Sequence, residues 1–142
     1  MRQPLRAAAV AARYLGAAAL LGVGIDHLEQ YSTEHYSAIP TIGTLFAMNF
    51  VSATLIAAAL AAPVQRLPGR AGRIAIPLLS AGGIAVAAGS LAGILLSEST
   101  GLYGFMEVGY RPAIMLSITL ETTTIALLSI QLALGRRAAL PG

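Results

Sequence analysis

With 142 residues, 56% of them hydrophobic and only 11% charged, the chain has too little charge to cover a water-soluble domain. Its formal net charge of +3 comes from nine arginines and no lysine. These lie beside long apolar runs, so anionic lipid headgroups rather than nucleic acid are their natural counter-charge. The lack of cysteine excludes disulfides, thiol redox chemistry and thiolate metal sites, and two histidines are too few for a histidine-rich metal cage.

A helix needs about 20 apolar residues to cross roughly 30 Å of hydrocarbon, and four stretches qualify. The first spans about 6–25, or reaches 33 if its far end is polar. Arg2 and Arg6 ahead of an alanine-rich run imitate a secretory signal. No small-residue cleavage site follows, and the run ends in Asp26-His27-Leu28-Glu29, so a retained first helix is expected. Ala8, Ala12 and Gly16 fall at intervals of four along it. The second span, 40–62, opens on Pro40, where a missing N–H costs nothing. Pro63, Pro68, Gly69 and Gly72 then break the chain. The third span, 74–96, carries Ala81, Ala85, Gly89 and Gly93, again four apart. Such a face lets a neighbouring helix approach closely, either inside the bundle or in a homo-oligomer or larger membrane complex. The fourth, 112–134, opens on Pro112.

Arg2, Arg6, Arg13, Arg66, Arg70, Arg73, Arg136 and Arg137 flank one set of helix ends. Asp26, Glu29, Glu34, Glu98 and Glu107 flank the other, with Arg111 as its only arginine. The excess of positive charge on cytoplasmic segments predicts both termini and the 66–73 connection inside, with 26–39 and 97–111 outside. The expected architecture is all-α: one membrane-embedded four-helix bundle over 1–142. A shift of 72 residues lays Asp26 on Glu98, Tyr31 on Tyr103, Pro40 on Pro112 and Asn49 on Glu121. Two parallel-repeated helical hairpins would produce that pattern, as would any two hydrophobic hairpins with proline openings.

Glu121 is the acid inside an apolar span. Nine residues past Pro112, it lies about 13–14 Å below the helix start, near the bilayer midplane. An intramembrane acid is expected to face protein or a wet cavity, as a functional group or as hydrogen-bonded packing glue. Asn49, nine residues past Pro40, should reach the same depth and be its partner. Asp26 and His27 join them in an outward-facing pocket if Arg13 marks the inner membrane boundary. If Arg13 snorkels instead, the two are merely solvated. Tyr103, Glu107, Tyr110 and Arg111 are placed to cover the pocket. His27 and His35, with Tyr31 between them, share a helix face if the first helix continues through them. That makes them weak metal candidates, because one helix face rarely completes a coordination sphere. A solvated amphipathic segment explains the same residues.

The stretches Asp26-His27-Leu28, Tyr36-Ser37-Ala38-Ile39-Pro40-Thr41-Ile42-Gly43, Ser97-Glu98-Ser99-Thr100 and Gly104-Phe105-Met106-Glu107-Val108-Gly109-Tyr110-Arg111-Pro112 resemble small four-span membrane proteins of GC-rich bacteria. The segments Arg13-Tyr14-Leu15-Gly16 and Gly24-Ile25-Asp26-His27-Leu28 are also similar to DoxX-like four-helix proteins. Both resemblances imply the four-helix count and a bacterial cytoplasmic membrane; neither implies an activity or a site residue. No nucleophile–base pair, phosphate loop or haem attachment motif is present, which argues against an enzyme. The expected function is a ligand-binding or accessory membrane protein, with a quinone or another amphiphile near Asn49 and Glu121. Alternatives are a proton-linked transporter using Glu121 and a structural subunit that docks through Ala85, Gly89 and Gly93.

Overall fold

The computed structural model describes residues 2–139. Helix α1 (Arg2–Ser32) leads through a 3-10 turn at Tyr36–Ala38 into α2 (Ile42–Ala61), and a second 3-10 turn at Val64–Arg66 leads to α3 (Gly69–Ser99) and then α4 (Pro112–Ala139). Each of the four helices is long and apolar enough to cross a membrane. The all-α four-helix bundle expected from the apolar runs is the observed fold, and the chain reads as a multi-pass membrane protein.

The helix ends differ from the expected spans. The 20 residues of α2 cover about 30 Å and match the hydrocarbon thickness. Helices α1 and α3 have 31 residues each, because backbone hydrogen bonding continues past the apolar residues into polar turns, arginine-bearing at one end and acidic at the other. Pro77 lies inside α3 near its arginine-rich end, where water can satisfy the carbonyl that the proline ring leaves free. Pro112 is the first residue of α4, as expected. Pro40 instead precedes the start of α2 at Ile42, and Thr41 takes the cap position with φ 66°.

Helix α1 packs along both α2 and α4, while α3 packs on α4 and more loosely on α2. The α1/α3 and α2/α4 pairs therefore occupy the diagonals, as a repeat would place them. The two halves are not equivalent, however: the α1–α4 seam is closed and the α2–α3 seam is splayed. Ala17, Leu20, Val23, Ala53, Ala57, Leu60 and Leu128 form the buried core. Leu128 is wedged between two glycines. A Cβ on Gly16 would stand 2.5 Å from its Cδ2, and one on Gly83 would stand 2.8 Å from its Cδ1.

The close-packing face of α3 thus runs through Gly83 and Ala87, both buried. It does not run through the stripe expected to do this. Ala81, Ala85 and Gly89 are exposed, and a Cβ on Gly89 would meet nothing within 4 Å. Small residues recur on both faces of α3, so a spacing of four reports a row without saying which way it points.

At the arginine-rich end Arg13 is only 6% exposed, so its guanidinium is held by protein. Its Nε donates to Leu60 O at 2.6 Å, Nη2 to Ala62 O at 2.6 Å and Nη1 to Gln65 Oε1 at 3.0 Å. A guanidinium on the last carbonyls of α2 both caps the helix and meets the negative end of its dipole. Arg13 is therefore level with the end of α2, and Asp26 and His27 lie about 20 Å further along α1 at 1.5 Å per residue.

Candidate functional site: a lateral cavity between α2 and α3

The splayed seam encloses a cavity of about 470 Å³, within the range of small-molecule sites. Exposed Leu45 and Met48 on α2 and Gly89 and Leu96 on α3 form its lips. The mouth therefore faces sideways at a level where the bundle surface is apolar. The small-residue row Ala85, Gly89 and Gly93 lines the cavity, and by lacking side chains it makes the room.

The roof is a clamp of loop residues. Tyr36 stacks on Phe46 (centroids 4.7 Å, 10° between planes) and meets Phe105 edge-on at 5.6 Å. Its hydroxyl donates to Glu107 Oε2 and accepts from Arg111 Nη2 at 2.6 Å. Arg111 also donates to Glu34 Oε2 at 3.0 Å, and its Nε lies 3.3 Å from Glu107 Oε1. Burial first, and the Glu107 hydrogen bond second, push the Tyr36 phenol above its ordinary range, so it remains a donor throughout physiological pH. Residues Leu102 and Phe105 exchange backbone hydrogen bonds of 2.7 and 2.9 Å around Tyr103 (φ 50°) and Gly104 (φ 79°). Positive φ at both central positions defines a type I′ turn. The turn holds exposed Tyr103 at the cavity's edge.

The wall toward α1 and α4 is polar. His27 is buried (5% exposed) and lies against Phe46, with ring centroids 5.0 Å apart. Its Nδ1 is 2.9 Å from Val23 O, and a carbonyl can only accept. Nδ1 therefore carries the hydrogen, and in the neutral ring the lone pair of Nε2 faces Ser90 Oγ at 3.0 Å. Behind His27 stands Glu121, with no exposed surface, its Oε1 4.0 Å from His27 Nε2. Neither Glu121 oxygen meets hydrogen-bond geometry with a partner, although the Ser90 hydroxyl that faces His27 is near enough to act on the carboxyl. Asp26 sits in the α1–α4 seam. Its Oδ2 accepts from Gln30 Nε2 at 2.9 Å and from Ser117 Oγ at 2.6 Å.

Of the expected site residues, Asn49, His27, Tyr103 and Glu107 line the cavity, and Arg111 ties its roof. Glu121 and Asp26 lie one layer behind the lining. The expected Asn49–Glu121 pair is not formed: Asn49 Oδ1 has no partner, and His27 is the ionisable group next to Glu121. The two prolines are not equivalent starting points, since α2 begins at Ile42 and α4 at Pro112, and α2 and α4 are diagonal, so an equal count does not mean contact. The expected His27–Tyr31–His35 face is also broken. Helix α1 ends at Ser32, and His35 follows in a left-handed conformation with φ 64°. Among the described residues, no three of His, Cys, Asp and Glu come together to hold a metal ion.

Gln30, Tyr36, Ser90 and Ser117 also contribute to the site and were not singled out by the sequence. Gln30 could have been found, since it follows Asp26 by one helical turn. Ser90 carries no signal of its own within Ala-Ala-Gly-Ser-Leu-Ala-Gly. No family model matches the chain, nor does any curated protein or solved structure.

Proposed function

We propose that this protein is an integral membrane ligand-binding or accessory protein that takes a small amphiphile from the lipid phase into the α2–α3 cavity. The observation that carries this reading is a cavity that opens sideways, is walled by apolar residues at its mouth, and is backed by unpartnered polar atoms. Such a site favours a molecule already dissolved in the bilayer over one arriving through water. Native mass spectrometry of the full chain released from mild detergent tests it. A bound small-molecule mass is expected on the wild type and its loss on Gly89→Phe, which adds a ring where the backbone now borders open space. Equal adducts on both proteins would sink the reading.

A second reading, a proton-linked transporter, is favoured by one observation: Glu121 and His27 approach to 4.0 Å beside the cavity, a pairing suited to passing a proton between carboxyl and imidazole.

The segregated arginines support placement in a bacterial cytoplasmic membrane with both termini inside, in line with the resemblance to small four-span bacterial proteins. The cysteine-free chain suits a labelling test. In intact cells a membrane-impermeant maleimide is expected to label Tyr103→Cys, and to label Arg70→Cys only after permeabilisation. The reverse pattern would invert the topology.

A further inference from the structure

The unpartnered buried polar atoms of Gln30, Asn49 and Glu121 are all acceptor oxygens, whereas Arg111 Nε in the roof is a donor that lies 3.3 Å from Glu107 Oε1. Gln30 is 2% exposed. Its amide nitrogen is committed to Asp26 and Ser117, which leaves Oε1 as an acceptor with no donor. Asn49 Oδ1 and both oxygens of Glu121 are likewise without donors. A ligand that completes this site must bring hydrogens to donate, since an acceptor headgroup would leave these oxygens bare.

Charge adds a second constraint. Asp26 and Glu121 both stand one layer behind the lining, and no arginine pairs with either among the described residues. Arg111, the only arginine at this end, is occupied by Glu34, Glu107 and Tyr36. The polar wall therefore has two acids with no basic partner other than the His27 imidazole. Above it, the packed Tyr36, Phe46 and Phe105 rings give an apolar ceiling for the arm of such a ligand.

The geometry points to a lipophilic amine as the ligand: a protonated amino head that draws the free oxygens of Gln30 and Asn49 into the cavity as acceptors, with the carboxyls of Asp26 and Glu121 in the layer behind and its hydrocarbon leaving between α2 and α3. This rests on the cavity being the ligand site, and the test separates the two claims.

The full-length protein in phosphatidylcholine nanodiscs is titrated calorimetrically with four probes sharing one chain: dodecylamine, dodecanol, dodecyltrimethylammonium and dodecanoate. Partition into lipid is subtracted with empty nanodiscs. Dodecylamine supplies both donors and charge, and charge-assisted hydrogen bonds are the strong ones. It is expected to bind at least about tenfold more tightly than the other three. Glu121→Gln and, independently, Asn49→Leu should narrow that preference to within about threefold. Dodecanol or dodecanoate equalling the amine would overturn the assignment, as would an unchanged preference in both variants. If all four probes bind alike and Gly89→Phe blocks them, the cavity remains the ligand site and only the amine head is wrong. If Gly89→Phe blocks none, both claims fall.

Discussion

Replacing Glu121 with methionine is expected to make the folded protein more stable while removing its ligand. The carboxyl has no exposed surface and no hydrogen bond on either oxygen. A buried polar group left unsatisfied costs about 1–3 kcal/mol, and more if ionised. Methionine has a similar length and a flexible thioether that fills irregular space, so the exchange should recover about that amount. Thermal unfolding in detergent, followed by circular dichroism, measures the gain. The bound mass in native spectrometry should disappear in parallel, and a transporter would also lose pH-gradient-driven uptake into proteoliposomes. A gain in stability with loss of function is what a strained functional group predicts. A variant destabilised by about 1 kcal/mol or more would instead mean that the carboxyl holds the bundle together.

Arg13→Ala should have a large effect in the opposite direction. Its guanidinium donates to two α2 carbonyls and to Gln65, at 2.6–3.0 Å and with almost no exposure. Removing it leaves the last turn of α2 uncapped beside a void the size of the lost side chain. Hydrogen bonds to charged groups contribute about 1.5–3 kcal/mol each, and the end-of-helix dipole adds to this. Such terms are not additive, so a loss of about 3 kcal/mol is the expected order. Arg13→Lys should recover only part of it, since an ammonium cannot span the two carbonyls and the amide as a planar fork does. Reversible unfolding in mixed micelles reads the difference. A change below about 0.5 kcal/mol, the level of an ordinary surface substitution, would show that the cap contributes little.

The number and type of the helices were legible because each apolar run is bounded by proline, glycine or charge. Depth was legible too. Counting from Pro112 and from Arg13 brings Glu121 and His27 to one outward-facing pocket, and their side chains are neighbours. Azimuth was not legible. Counting nine residues from each proline puts Asn49 and Glu121 together, but they sit on diagonal helices, a property of the tertiary arrangement that neither helix's own sequence encodes. The α3 row Ala85, Gly89 and Gly93 was visible as a row, while its turn toward a void depended on how far α2 stands away. Ser90 was the least legible residue. A hydroxyl in an alanine–glycine run is common in membrane helices and is usually bonded to its own backbone, whereas this one meets an imidazole.

The leucine held between Gly16 and Gly83 divides the polar face of α4 into two compartments. Ser117, Glu121 and Thr124 lie on one side of it, and Gln131, bonded to Ser80 at 2.7 Å, lies on the other. Between them Leu128 joins Leu20, Val23, Ala53 and Ala57 in one apolar layer. An ion or proton arriving from the tyrosine-bearing side would stop there, since these side chains offer it no relay group. If the upper compartment hydrates, most of the transmembrane voltage falls across this layer, worth about 2.3 kcal/mol per elementary charge for each 100 mV. Leu128→Ala would thin that insulator without touching any polar group.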